Sequence, residues 1–178
     1  AEIREMGSGW PILVLGPLLE GEDSALLEYD LTATLSSPAE ISRFQEKAKS
    51  KGQKVQVHVK VDTGMGRLGI WWEDARALVQ KIEKVDEIEL RGLLTHFADP
   101  SDLDFTSLQR ERFKKIYDSI PSRLKADLMV HADNSSSLLH LERDSIFNAI
   151  RIGLLQFGVS PKKESLFSDL PVEPVLSF

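Results

Sequence analysis

The stretch VQVHVKVDTGMGRLGI, residues 55–70, carries the clearest structural pattern in the chain. Its valines at 55, 57, 59 and 61 alternate with polar residues, which is the period of a β-strand. Glycines at 64 and 66 follow and permit a tight turn, so Arg67 comes just after the carboxyl end of a strand. Two interpretations remain open at this point. One is an edge strand with a wet face, and the other is a parallel barrel strand whose polar side chains point inward.

Strands and helices alternate along the rest of the chain. We predict strands at 11–16, 31–35, 55–62, 90–97, 128–131 and 146–152, and helices at 1–6, 25–29, 37–52, 73–85, 105–120 and 136–141. Ser37, with Pro38 and Glu40 behind it, predicts a capped helix start, and Gly52 predicts the end of that helix. About six strand–helix units predict an α/β fold with a parallel sheet. Because a closed (β/α)8 barrel of the TIM type needs eight units, we expect an incomplete barrel.

Composition excludes several classes of function. The chain has 178 residues, enough for one domain with a real core, and its net charge of −6 argues against general nucleic-acid binding. It has no cysteine, which excludes disulfides and thiolate catalysis. No apolar run reaches the roughly 20 residues that a membrane helix needs. The first ten residues do not resemble a signal peptide, and we therefore expect a cytoplasmic protein without membrane contact. No metal-binding motif is visible.

Polar residues recur just after the predicted strands, where barrel proteins assemble their active sites. They are Arg67, His96, Asn134 with Ser135, and Arg151 with Gly153. Asn134 and Ser135 open a predicted helix, where backbone N–H groups and a hydroxyl suit a phosphate. Ser135 is equally well explained as a helix N-cap.

Individual residues of this set leave alternatives open. Lys60 and Asp62 share one strand face, so they form either a surface ion pair or part of a barrel interior. An interior lysine needs a partner or a modification. His96 is either structural or stacked on a flat ring, whereas His131, between apolar neighbours, suits a hydrogen-bonded orienting role rather than that of a base. We assign no role to His58.

Five segments together resemble the alanine racemase family. They are PILVLG at 11–16, HVKVDTGMGRLGI at 58–70, GLLTHFAD at 92–99, HADNSSSLL at 131–139 and RIGLLQFGVSP at 151–161. The resemblance implies a pyridoxal 5'-phosphate enzyme that interconverts L-alanine and D-alanine and supplies D-alanine for peptidoglycan. It also implies a homodimer in which an N-terminal barrel holds the cofactor and a β domain follows.

The same resemblance implies roles for five residues. Lys60 matches a lysine that is often carbamylated, and its carbamate fixes Arg67. Arg67 matches the arginine near the cofactor ring oxygen and the substrate carboxylate, and His96 matches the histidine beside the ring. Arg151 matches the arginine that bonds the pyridine nitrogen, and His131 the histidine that orients it. A separate set matches the phosphate side of the cofactor: Asn134, Ser135, Gly153 and Leu154.

Two departures from the family pattern limit what we expect of the chain. Neither the lysine that attaches the cofactor, in its K-A-x-A-Y-G context, nor the tyrosine that serves as second base has a matching motif. We therefore interpret residues 1–168 as a partial barrel and 169–178 as the start of a connection to a β domain. We expect the chain alone to be unable to racemise alanine. We also expect it to be either marginally stable or self-associating. A racemase of another small amino acid such as serine, or a non-catalytic barrel remnant that binds pyridoxal phosphate or phosphate, remains the alternative.

Overall fold

Parallel strands form the frame of the molecule in the computed structural model, which describes residues 2–7, 9–141, 145–159 and 173. The strands are β1 (Ile12–Val14), β2 (Leu31–Leu35), β3 (Val55–Asp62), β4 (Ile70–Trp71), β5 (Ile88–Leu94), β6 (Met129–Asn134) and β7 (Ala149–Arg151). The main sheet has the order β1-β2-β3-β5-β6-β7, and every pairing is parallel. β4 pairs only with the end of β3. Six strands in sequence order confirm the expected incomplete (β/α) barrel.

Helices connect these strands. They are α1 (Glu2–Met6), α2 (Ser24–Glu28), α3 (Pro38–Lys51), α4 (Trp72–Ile82), α5 (Leu103–Ser119) and α6 (Ser122–Lys125), with 3-10 turns at Ser137–His140 and Leu154–Phe157. The start of α3 is capped as predicted: the Ser37 amide donates to the Glu40 carboxylate at 2.8 Å, and Pro38 occupies the first helical position. Gly52 ends the helix with a φ of 62°, a left-handed conformation that favours glycine. None of the described helices is long and apolar enough to cross a membrane.

The core lies between the sheet and the helices. The four valines of β3 are at most 1% exposed, and Phe44, Leu78 and Phe113 of α3, α4 and α5 belong to the same cluster. The opposite face of β3 is also buried, because His58 is 4% and Lys60 7% exposed. Since β3 lies between β2 and β5, the edge-strand interpretation is wrong. The alternation in β3 therefore separates a core face from a barrel interior.

Several boundaries differ from the predictions. β6 extends to Asn134 rather than ending at His131, because its polar end is still paired with β7. The helix predicted at 136–141 is a 3-10 turn, and β4, α6 and the turn at Leu154–Phe157 were not predicted. The predicted domain boundary between residues 168 and 169 lies outside the described residues.

Candidate active site

A cleft of about 520 Å³ lies at the carboxyl ends of β1, β5, β6 and β7. Six of the predicted site residues line it: His96, Asn134, Ser135, Arg151, Gly153 and Leu154. They come from the ends of β5, β6 and β7, which lie side by side in the sheet. The parallel topology thus brings together residues that are far apart in the sequence.

A smaller depression beside this cleft brings together Lys60, Arg67 and His96. The surface ion pair between Lys60 and Asp62 is the wrong interpretation, because Lys60 is buried. The Asp62 carboxylate instead accepts hydrogen bonds from the amides of Gly64 and Gly66, at 2.9 and 3.0 Å, and so shapes the turn that carries Arg67. Arg67 itself is exposed at the end of that turn.

Arg151 is held by five acceptors. Its Nη1 donates to Nδ1 and to the carbonyl of His131, at 2.6 and 3.2 Å. The two hydrogens of its Nη2 are shared among three acceptors, namely the carbonyls of Thr95 and Ala132, at 2.8 and 3.0 Å, and Nδ1 of His96 at 3.0 Å. Nε donates to no described residue. Because a guanidinium only donates, this arrangement fixes the plane of the group and keeps one N–H available.

The site is electrostatically positive. Burial is the largest cause that lowers the pKa of Lys60, and the nearby charges of Arg67 and Arg151 lower this pKa further. Asp62 has a smaller, opposing effect. Burial likewise lowers the pKa of Arg151 to about 10, with Asp133 opposing and Arg67 adding to the shift. Arg151 nevertheless stays protonated at neutral pH. A site in which neighbouring cations lower the pKa of Lys60 and of Arg151 suits an anionic ligand.

The two site histidines are neutral. Burial, followed by the Arg151 charge, lowers the pKa of His96 to about 4 and that of His131 to about 3. Because Arg151 donates to Nδ1 of His96, the proton of that ring lies on Nε2. Nε2 of His96 and Nδ2 of Asn134 are 3.4 Å apart and both carry hydrogen, so their contact is not a hydrogen bond. The Nε2–H of His96 therefore remains available to a ligand in the cleft.

The end of β6 is built differently from the expected helix N-terminus. Oδ1 of Asn134 accepts from the amides of Ser136 and Ser137, at 2.9 and 3.1 Å, so those two N–H groups are already occupied. The amide of Gly153 donates to the Ser135 hydroxyl at 3.0 Å. Ser135, which is 5% exposed, keeps its own hydroxyl hydrogen for a ligand. A phosphate would meet a hydroxyl here, whereas the three N–H groups just named are already bonded.

Three residues without a predicted role take part in this architecture. Nδ1 of His58 lies 3.0 Å from Nε2 of His131. Gly92 of β5 lies against the His58 ring. Gln109 of α5 is fully buried and donates to Thr63 Oγ1 and to the His96 carbonyl, both at 3.1 Å. The signal for His58 was available, since it shares the strand face of Lys60. Gln109 offered none, because one glutamine in an amphipathic helix looks like a surface residue.

Among the described residues, no group of three or more His, Asp or Glu side chains could hold a metal ion.

An open parallel barrel with a cleft at the carboxyl ends of its strands, lined by Arg151 and with Lys60 and Arg67 in the adjoining depression, is the architecture in which (β/α)-barrel proteins bind their ligands. The family profile described as "Alanine racemase, N-terminal domain" matches residues 1–161. The chain therefore belongs to the alanine racemase N-terminal domain family.

Individual relatives agree with this assignment. Alanine racemase of Halothermothrix orenii is 32% identical over 180 residues, covering 99% of this chain and 47% of the relative. That of Prochlorococcus marinus is 36% identical over 184 residues, with the same coverage. The structure of Clostridium difficile alanine racemase in complex with cycloserine superimposes with a TM-score of 0.87 at 29% identity, covering 97% of this chain and 48% of that one. The chain thus spans about half the length of the relatives it matches.

Proposed function

We propose that this chain is the cofactor-binding barrel of an alanine racemase, which interconverts L-alanine and D-alanine with pyridoxal 5'-phosphate. The observation that carries the proposal is the anchoring of Arg151. Five acceptors fix its two terminal nitrogens, and Nε is left without a described partner in a residue that lines the cleft. That N–H suits an acceptor nitrogen such as the one in a pyridine ring.

The residues present fit this cofactor in charge as well as in geometry. Pyridoxal phosphate is an anion, and Lys60, Arg67 and Arg151 form a cluster of cations around its proposed position. Ser135 offers a hydroxyl hydrogen toward the phosphate side, and His96 offers its Nε2–H. When bound, the cofactor supplies an electron sink for the charge left on Cα after proton removal. Arg151 keeps its own proton, so it donates a hydrogen bond without protonating the ring.

Lys60 is proposed to carry a carbamate. Its lowered pKa increases the fraction of neutral amine, which adds to carbon dioxide and releases one proton. The carbamate replaces the Lys60 cation beside Arg67 and Arg151 with an anion, and so relieves the repulsion among the three positive groups. Arg67, held by the anion, would then present its guanidinium to the carboxylate of the substrate.

We propose that the whole enzyme is a cytoplasmic homodimer that supplies D-alanine for peptidoglycan, and that this chain alone does not racemise alanine. Racemisation removes a proton from one face of Cα and returns one to the other, which requires two bases. Within the 178 residues there is no K-A-x-A-Y-G segment for the first, and neither Tyr29 nor Tyr117 lies in a motif that matches the second. The names of the relatives support alanine rather than serine as substrate.

Binding of pyridoxal phosphate tests the proposal directly. We expect saturable binding that weakens about 10- to 100-fold in Arg151→Met and less in Ser135→Ala, because a hydrogen bond from a charged donor contributes about 1.5–3 kcal/mol. Arg76→Ala, an exposed position on α4, is the matched control and should bind as the parent chain does. Equal affinity in Arg151→Met and in the control, with both folded by circular dichroism, would contradict the assignment of Arg151.

Covalent attachment tests the second part of the proposal. After addition of pyridoxal phosphate and reduction with borohydride, we expect no single stoichiometric adduct in the intact mass and no racemisation of L-alanine. One adduct accompanied by turnover would show that another lysine of this chain attaches the cofactor. Such a result would overturn the expectation that the isolated chain is inactive.

A further inference from the structure

A line of hydrogen bonds runs from Arg151 into the barrel interior. Arg151 Nη1 lies 2.6 Å from His131 Nδ1, and His131 Nε2 lies 3.0 Å from His58 Nδ1. Both histidines are buried, at 2% and 4% exposure, and their rings meet edge to face with centroids 5.2 Å apart. The line therefore joins the cleft to β3, on the far side of β5.

Only one assignment of protons satisfies this line. A guanidinium donates and never accepts, so His131 must accept at Nδ1 and carry its proton on Nε2. His131 then donates to His58, which must accept at Nδ1 and carry its own proton on Nε2. The positive charge of Arg151 thus sets the direction of both hydrogen bonds. Protonation of either ring would place two N–H groups against each other. Burial also opposes the protonation of both rings, and the charges of Arg151 and Lys60 further oppose that of His131.

The His58 ring fits because β5 has no side chain beside it. Gly92 pairs with His58 across the sheet, next to a register shift between Val57 and His58. A Cβ built on Gly92 would lie 2.4 Å from Nδ1 and Cε1 of the ring, far inside van der Waals contact. Any larger residue at position 92 therefore displaces the ring atom that accepts from His131.

We propose that His58 is a positioning residue for Arg151, acting through His131, and that Gly92 provides the space that allows it. His58 holds the His131 ring in the orientation and tautomer that accept from Arg151, and this leaves the Arg151 Nε–H to the cleft. The inference rests on the proposed function only for what Nε contacts. The hydrogen-bond line itself is a property of this chain without any ligand.

Ring nitrogen NMR of the 15N-labelled chain tests the inference without cofactor. We expect His131 to carry its proton on Nε2 and His58 on Nε2, with the His131 proton protected from solvent exchange. In His58→Phe and in Gly92→Ala the exchange of that proton should accelerate about tenfold or more, because its acceptor is lost or displaced. His58→Asn, whose Oδ1 takes the place of Nδ1, should restore the protection.

Gly7→Ala is the control, since its Cβ would approach no atom closer than 3.6 Å and should leave the spectrum unchanged. A His131 proton on Nδ1 in the parent chain would overturn the inference, and so would unchanged protection in folded His58→Phe. If Gly92→Ala does not fold, the comparison of His58→Phe with His58→Asn decides. Pyridoxal phosphate affinity, measured in parallel, should fall about tenfold in His58→Phe and recover in His58→Asn. A chain with the expected NMR pattern but no cofactor binding would refute the proposed function and leave the positioning role intact.

Discussion

Acidification should destabilise this chain well before its carboxylates titrate. Three buried histidines carry lowered pKa values, about 4 for His58, about 4 for His96 and about 3 for His131, and burial is the largest cause in each. All three are therefore neutral in the folded protein between pH 5 and pH 7. In the unfolded chain each titrates near its ordinary value of about 6.5.

The sign of the effect follows from proton binding. Below about pH 6.5 the unfolded chain takes up protons that the folded chain refuses, so stability is fully present above that pH and falls as the pH approaches the folded pKa values. One pH unit corresponds to about 1.4 kcal/mol per group. At pH 5 the free energy of unfolding should thus be lower by about 2 kcal/mol for each histidine than it is above pH 6.5. Its slope against pH should approach about 1.4 kcal/mol per pH unit for each histidine.

Urea unfolding followed by tryptophan fluorescence at pH 5.0 to 7.5 measures this slope. We expect His58→Asn to lower the slope below pH 6 by one histidine's share, whatever its effect at pH 7.5. His140→Gln is the matched control, because that side chain is exposed, and it should leave the slope unchanged. A free energy of unfolding that stays constant from pH 7 to pH 5 in the parent chain would refute the reasoning.

Three further predictions concern other parts of the molecule. Gln109→Leu leaves the Ala98 amide and the His96 carbonyl without their partners, so it should lower the free energy of unfolding by at least about 2 kcal/mol. The control Gln80→Leu, on the exposed face of α4, should change that free energy little, and equal effects in the two variants would refute the bridging role of Gln109. With 13C-labelled bicarbonate, the parent chain should show a carbamate signal in 13C NMR that is absent in Lys60→Met and present in the control Lys54→Met; a signal that survives Lys60→Met would exclude this site. Because β1 and β7 have no described strand beyond them, the chain should self-associate in sedimentation experiments; a monomer whose melting temperature is independent of concentration would contradict this expectation.

Strong local patterns predicted most of the fold. The limits of β2 and β3 and the capped start of α3 follow from alternation and from capping chemistry, which act within a few residues. The sequence does not predict β4, because a strand of two residues carries no period and exists only through its pairing with the end of β3. The sequence predicts too early an end for β6, because its last residues are polar and polar residues indicate a loop, whereas the sheet still pairs them with β7.

The sequence predicts which residues lie at the candidate site, but not which contacts hold them there. The positions of Arg67, His96 and Arg151 after successive strands were enough to place them at one end of a barrel. That His58 and Gly92 share one small space could not be read from the sequence, because the contact depends on the register between β3 and β5. Gln109 is a similar case, since only the packing of α5 shows which of its faces reaches the strand ends.

The open sheet has a consequence for how the molecule could be used. In an eight-stranded barrel, the six described strands of the main sheet would leave a single gap two strands wide between the outer edges of β1 and β7, roughly 14 Å across at the usual spacing. One polypeptide with two suitable strands would therefore meet both edges at once. We expect the chain to be suitable for fragment complementation, in which a second polypeptide added in trans supplies the two strands that close the barrel. The recovery of a sharp melting transition would then report that closure, independently of any catalysis.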